Sequence, residues 1–321
     1  MIMTTKVYTT SLKCGIRRTQ EFEKKGLASF AVNVGTKCGH LCTYCSTPAM
    51  LRMHRSYGEA GESPFGIGFA IVDPEMPKRV AADAKRMHSR GLIQLCTTTD
   101  AWSPEAQQYD LGRKCLQAIL DQPGWSVRIL TKNAAVRNDF DLIQKHRDMV
   151  LVGLSITASE DRSALVSAVE PFASSIEERI EVLREAHKLG LRTYGMLCPL
   201  LPGIADNPRQ IDELVRIVLD SGAEDIFAEA VNGRGPALRM TEEALRVHGF
   251  TVEADAVGAI RKEANWSPYV VRLLDSLQQT LRRRGALPKL RFLLYPSGLA
   301  AGDLRWMRNH SEGVKWLGDG S

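Results

Sequence analysis

The sequence predicts an α/β protein, a partial (βα)6 TIM-like barrel with an N-terminal extension and a mostly helical C-terminal cap. Three observations predict it. Short apolar runs alternate with longer amphipathic stretches, six such pairs fit between residues 27 and 235, and the rhythm stops after Pro236. Alternation of this kind implies parallel strands joined by right-handed crossovers. Chemistry in such folds gathers at the C-terminal ends of the strands.

Residues 1–26 are polar and mixed in charge and read as an extension. The apolar runs are Ala28–Val34, Leu92–Thr97, Val127–Thr131, Val150–Ile156, Thr193–Cys198 and Ile226–Val231. They are rich in Val, Ile, Leu and Thr, as buried parallel strands are. Between them, Asp110–Leu120 sets Leu111, Cys115, Leu116 and Ile119 on one helical face. Ser175–Leu189 opens with Ser175 three residues before Glu178, a capping-box signature, and ends at Gly190. Pro208–Asp220 aligns Ile211, Leu214, Val215 and Val218. Beyond Pro236, helical patterns cover Glu242–Val247, Thr251–Arg261 and Pro268–Arg284, followed by a short apolar run, Leu290–Tyr295. The expected units are therefore 1–26, 27–235 and 236–321.

Composition narrows the function classes. With 44% hydrophobic and 25% charged residues, the chain reads as an ordinary soluble globular protein. It has no run of about 18 apolar residues, so no transmembrane helix and no membrane partner is expected. Met1–Thr10 lacks an apolar signal core, and the expected location is the cytoplasm. A net charge of +5 is mild for a dedicated nucleic-acid binder. Seven cysteines, three of them within residues 38–45, argue for metal or redox chemistry over a disulfide framework.

Those three, Cys38, Cys42 and Cys45, are spaced C-x3-C-x2-C in the loop after the first predicted strand. Thiolates are the usual ligands of iron–sulfur clusters, and three of them leave one iron of a cubane without a protein thiolate. Three cysteines with His40 are also a zinc-ligand set, although His40 falls between two of the cysteines.

C-x3-C-x2-C with an aromatic residue, Tyr44, before the last cysteine resembles the signature of the radical S-adenosylmethionine (AdoMet) superfamily. The resemblance implies one 4Fe–4S cluster on Cys38, Cys42 and Cys45, with AdoMet chelating the remaining iron. It also implies reductive cleavage of AdoMet to a 5′-deoxyadenosyl radical that abstracts hydrogen from a substrate. Tyr44 is implied near the adenine, and a reductant such as flavodoxin or ferredoxin as partner. Further stretches resemble the spore photoproduct lyase-like branch: Cys96–Glu105, Ile129–Asn133, Leu154–Thr157, Glu170-Pro171 with Glu177-Glu178-Arg179, and Pro199–Gly203. Ser46-Thr47-Pro48 and the Gly/Pro-rich stretch Gly58–Phe69 match nothing in the DNA-repair enzyme.

Position assigns candidate roles. Thr98, Thr99 and Asp100 follow the second strand, where the family holds the AdoMet amino group; Asp100 alternatively caps a turn. Lys132 suits the AdoMet carboxylate or ribose, and Ser155 a ribose hydroxyl. Glu229, Asn232 and Arg234 lie in a glycine-flanked loop that lines an AdoMet or substrate pocket. Cys96 and Cys198 are candidate hydrogen-atom donors; a one-residue slip in a strand turns such a thiol away from the barrel. Arg272, Arg282–Arg284, Lys289 and Arg291 form a possible phosphate-binding patch or a solvated helix end. Small-molecule, peptide and nucleic-acid substrates all stay open, as does a non-catalytic iron–sulfur or zinc binding module.

Overall fold

A computed structural model describes residues 5–233 and 235–318. All six predicted runs are strands: β1 Phe30–Val32, β2 Leu92–Leu95, β3 Ser126–Thr131, β4 Val150–Leu154, β5 Gly195–Leu200 and β6 Ile226–Ala230. Two more follow, β7 Leu290–Leu294 and β8 Val314–Trp316. Every neighbouring pair is parallel. β4 reaches β5 through Arg192–Thr193 and a bridge between Ser155 and Met196.

Among the described residues no ladder joins β8 back to β1, so the barrel is open. The N-terminal residues occupy the seam. Arg17–Arg18 pairs antiparallel with β1, and Phe22 and Leu27 pack into the lumen. Lys6–Thr9 pairs with Phe69–Val72 in a small separate sheet.

The two faces of the barrel sheet differ as strand alternation requires. Ile93, Leu95, Val127, Ile129, Val152 and Leu197 face the helices in the main core. Leu151, Tyr194, Met196, Phe227 and Leu293 face the lumen. Near the N-terminal ends of the strands, Arg128 plugs that lumen. Its guanidinium stands 5.0 Å from the Tyr194 ring and 5.1 Å from Phe227, and donates to Leu27 O at 2.8 Å.

Helices cover the outside. Leu111–Leu120 buries the predicted face, and Ile176–Lys188 carries the Ser175/Glu178 capping box. Pro208–Asp220 has its own capping box, from Asn207 and Gln210. The C-terminal part is helical at Ala237–Val247, Thr251–Ala259, Glu263–Arg283 and Ala301–Asn309, and it supplies β7 and β8. No described helix is long and apolar enough to cross a membrane.

The C-terminal basic residues are committed. Arg284 meets Asp212 at 2.6 Å, Arg291 meets Asp225 at 2.9 Å, and Lys289 donates to Ala223 O at 2.6 Å. Asp225 and Ala223 directly precede β6, and Asp212 lies in the first half of the helix Pro208–Asp220 that follows β5, so these three basic side chains already have protein partners.

Gly153 faces the lumen, where an added Cβ would lie 2.4 Å from the Tyr194 ring. Gly153→Ala is expected to destabilise the protein by about 1–3 kcal/mol through overpacking. Thermal and urea unfolding measure it.

Candidate active site

The site grows from the loop after β1. Asn33 Oδ1 accepts the amides of Thr97 and Thr98, both at 2.8 Å, and its Nδ2 donates to the Thr97 hydroxyl at 2.7 Å. This ties the first strand end to the second. Gly35–Lys37 then pairs with Phe69–Val72 and leads into the cysteine loop. Within that loop Leu41 has φ 51°, a left-handed conformation that costs a non-glycine residue about 1–2 kcal/mol. Outside contacts hold it there. Both carboxylate oxygens of Glu105 accept the Gly39 amide at 3.0 Å, and Thr43 N donates to Val169 O at 2.9 Å. A Cβ at position 39 would meet Glu105 at 2.5 Å.

Cys38, Cys42 and Cys45 line one cavity with Thr47, Thr98 and Met240. Burial, reinforced by Glu170, pushes the Cys42 thiol up to about 12, and burial pushes Cys38 well up too. Ligation needs thiolates, so this pocket asks for a cationic centre. His40 is buried, with Nδ1 3.4 Å from Asp100 and Nε2 3.4 Å from Asn133. Both of its ring nitrogens are therefore directed at protein partners, which disfavours the three-cysteine, one-histidine zinc set. Among the described residues no group of three or more His, Cys, Asp or Glu could hold a single metal ion. Thiolates of a cubane bind separate irons and need not converge on one point.

Two buried anions organise the rest. Glu170 receives the Tyr44 hydroxyl, the Arg179 guanidinium and, at 3.0 Å, the Thr157 hydroxyl. Lys132 Nζ stands 3.4 Å from it. Burial alone would raise the Glu170 carboxyl, but Arg179, Lys132 and the hydrogen bonds hold it down at about 2. Asp100 accepts the Thr131 hydroxyl at 2.8 Å, Lys132 N at 2.8 Å and Trp102 N at 2.9 Å. Asp100, 6% exposed, thus joins the second strand end to the third and, through Trp102 N, also caps the turn after β2.

Thr98 lines the cysteine cavity, and its carbonyl accepts the Thr47 hydroxyl at 3.0 Å. Thr99 N lies 3.4 Å from Asn33 Oδ1. Lys132 Nζ is buried, 5.5 Å from the centre of the Tyr44 ring, with no hydrogen-bond partner among the described residues. An ammonium that pairs with Glu170 at 3.4 Å and lies close enough to Cys42 to act on its charge can also face an anionic group such as the AdoMet carboxylate. Ser155 is buried at the end of β4, and its carbonyl accepts Arg179 Nη1 at 2.9 Å.

Cys198 continues the lumen-facing series of Tyr194 and Met196, with Sγ 3.6 Å from Glu229. Burial and Glu229 push its thiol up, while Lys132 and Lys25 pull it down. Glu229 also stands 4.0 Å from Lys25. Asn232 and Glu229 border a second cavity with Trp266 and Tyr295. Arg234 lies outside the described residues. Cys96, one residue past the end of β2, is buried in the main core cluster, which also holds Cys115 and Trp102.

Sequence reasoning missed the hubs Glu105, Glu170 and Arg179, although each lies in a stretch that carried the resemblance. Nothing in the sequence pointed to Lys25.

A family model described as the radical SAM superfamily matches residues 32–218. Uncharacterized protein ORF301 of Acidianus two-tailed virus is 25% identical over 224 residues, 67% of this chain and 71% of that protein. Uncharacterized protein MJ0683 of Methanocaldococcus jannaschii is 29% identical over 179 residues, 56% of this chain and 63% of that one. Among solved structures, a spore photoproduct lyase mutant with bound AdoMet and dinucleoside spore photoproduct has TM-score 0.55 at 14% identity. It covers 86% of this chain and 79% of its own. Another mutant of that enzyme, with dinucleoside spore photoproduct, has TM-score 0.51 at 16% identity, over 75% of this chain and 66% of its own. The chain thus spans just under two thirds of MJ0683 and of this last structure. At such identities the structural likeness speaks to fold alone.

Glu170→Gln leaves Arg179 and Lys132 without their buried anion and is expected to cost about 3–5 kcal/mol. Since folding lowers this carboxyl from 4.5 to about 2, its contribution is full above pH 4.5 and fades as pH falls toward 2. Unfolding curves of wild type and variant at several pH values should converge on the acid side.

Proposed function

The chain belongs to the radical SAM superfamily, and from that membership we propose that it cleaves AdoMet reductively and turns the resulting radical on a substrate C–H bond in the barrel lumen. It is an enzyme of a superfamily that uses a 4Fe–4S cluster and AdoMet and needs an electron donor. One observation carries the assignment of residues: three thiols line one cavity, and the buried Lys132 ammonium, paired with Glu170, lies close enough to Cys42 to act on its charge.

Cys38, Cys42 and Cys45 would hold the cluster, whose chemistry is to pass one electron to AdoMet and release methionine and the 5′-deoxyadenosyl radical. Lys132 would bind the AdoMet carboxylate, with Glu170 keeping its ammonium charged and in place. Tyr44, fixed by its hydroxyl on Glu170, would pack against the adenine. Thr98 and Thr99 offer hydroxyls and backbone at the second strand end, Ser155 a hydroxyl for the ribose. Asp100 has most of its acceptor capacity in use, so we assign it to positioning Lys132 and His40 ahead of direct AdoMet contact. Glu229 and Asn232 would face the substrate side, with Arg234 in the same loop. Cys198 is the preferred hydrogen-atom donor over Cys96, given which way each thiol faces. The units 1–26, 27–235 and 236–321 would then be a seam filler, the catalytic core and a cap that also extends the sheet. Apolar lumen walls would exclude water from a reactive radical.

The test is anaerobic reconstitution with iron and sulfide, then dithionite and AdoMet, with 5′-deoxyadenosine read by mass spectrometry. Wild type should form it slowly, and Cys42→Ala should form none. Lys132→Met should weaken AdoMet binding at least tenfold by calorimetry while iron content holds. A wild-type protein that carries a full cluster yet forms no 5′-deoxyadenosine favours the binding module instead.

A further inference from the structure

Large apolar side chains are seldom exposed on this molecule, and the exposed ones are unevenly spread. Of seven among the described residues, four fall between residues 50 and 67: Met50, Met53, Phe65 and Ile67. Met53 is 88% exposed and Ile67 68%. Isolated exposed apolar residues need no explanation, whereas a local concentration marks an interaction site. These four belong to the excursion between Cys45 and the strand Phe69–Val72, and Phe65 and Ile67 lie in its Gly/Pro-rich part, Gly58–Phe69, which matched nothing in the DNA-repair enzyme.

The excursion is held in place rather than loose. Lys37 Nζ, 4.2 Å over the Phe69 ring, donates to Pro64 O at 3.0 Å and also to Gly66 O. The turn so strapped carries Phe65 and Ile67 onto the rim of the cavity that holds the three thiols. Met53 borders an adjoining cavity with Lys13, Arg17 and Arg55, and Thr98 lines both cavities. His54, between Met53 and Arg55, is lowered by burial and then by the charges of Arg55, Arg17 and Lys13, which agrees with their crowding.

Charge is concentrated on the same part of the chain. Residues 1–68 contain nine Lys or Arg and four Glu, and the remainder of the chain contains 33 of each sign. The whole net charge of +5 therefore belongs to the segment that carries the thiols. Three of its four acids are engaged locally, Glu23 with the Ser29 hydroxyl at 3.2 Å, Glu59 with Arg55 at 3.0 Å and Glu62 with the Tyr8 hydroxyl at 2.6 Å.

We propose that this face, the 50–67 excursion with its cationic rim, docks the electron donor, and that the donor is a small acidic carrier protein. The proposal rests on the reading that Cys38, Cys42 and Cys45 hold the cluster. One electron leaves the reduced carrier and enters the cluster through the Phe65/Ile67 edge; the carrier is oxidised by one electron and no bond forms or breaks. A small apolar centre ringed by charge suits a transient electron-transfer encounter, which is small in area and steered electrostatically. Of the four exposed apolar residues one, Phe65, is aromatic, and stacking successive bases takes several such rings, so a protein fits better than a nucleic acid.

The test uses the full-length reconstituted protein, with flavodoxin as the probe. Flavodoxin affinity is measured by calorimetry at low and high salt, and cluster reduction by reduced flavodoxin or dithionite by absorbance. Met53→Glu combined with Arg55→Glu should weaken flavodoxin binding and slow flavodoxin-driven reduction at least tenfold. Iron content and the dithionite-driven rate should stay unchanged, and wild-type affinity should fall with salt. Arg17→Glu alone should give a smaller loss in the same direction. Unchanged flavodoxin affinity in both variants, or equal slowing with dithionite, overturns the proposal. So does loss of binding to a labelled single-stranded oligonucleotide while flavodoxin binding persists. If flavodoxin binds this face and reduces the cluster but no 5′-deoxyadenosine forms, the docking stands and the radical assignment falls.

Discussion

A fully buried carboxylate is tolerable only when its charge is answered on every side, and Glu170 shows how much structure that requirement can fix. Its partners come from four separate places: Tyr44 in the cysteine loop, Lys132 after β3, Thr157 after β4, and Arg179 on the helix Ile176–Lys188. Arg179 in turn donates to the carbonyls of Ser155 and Ser174. None of these groups can shift without leaving a charge or a polar atom unmatched in a low-dielectric interior. The cysteine loop is thus registered to the third and fourth strand ends through one anion.

Asp100 does the same one strand earlier. It gathers the Thr131 hydroxyl, the Lys132 amide and His40, while Glu105 takes the Gly39 amide. The left-handed turn at Leu41 persists because these contacts outweigh its local cost. A loop with three thiols is thereby preorganised by carboxylates that touch none of the thiol sulfurs through hydrogen bonds. Rigid support of this sort matters where a ligand must be met at several points at once.

The fold was largely legible in the sequence, because buried parallel strands are continuous apolar runs and each of the six stood out. β7 was visible as the run Leu290–Tyr295, but its place in the sheet was not, since pairing is a tertiary fact. β8 escaped notice because Val314-Lys315-Trp316 is three half-buried residues long. Lys6–Thr9 and Arg17–Arg18 escaped because their sequences are polar and their sheets are small. At the site, spacing and strand-end position picked out the thiols, Thr98, Asp100 and Lys132. The partners of those side chains were hidden, because Glu170 lies 126 residues from Tyr44 and nothing local encodes their meeting.

The two remaining thiols show where periodicity stops being a guide. Within a strand the side-chain period of two decides direction, and Cys198 obeys it: Tyr194, Met196 and Cys198 all face the lumen. Cys96 sits one residue past the end of β2, where that period no longer applies, and it joins Leu95 in the helix-side core. It is 2% exposed, and burial pushes its thiol up to about 12. Cys198 has instead a carboxylate at 3.6 Å, and Lys25 and Lys132 close enough to act on its charge. The polar groups around Cys198 therefore come from β6, which carries Glu229, and from Lys25, which reaches Glu229 through the seam that an open barrel leaves between its first and last strands.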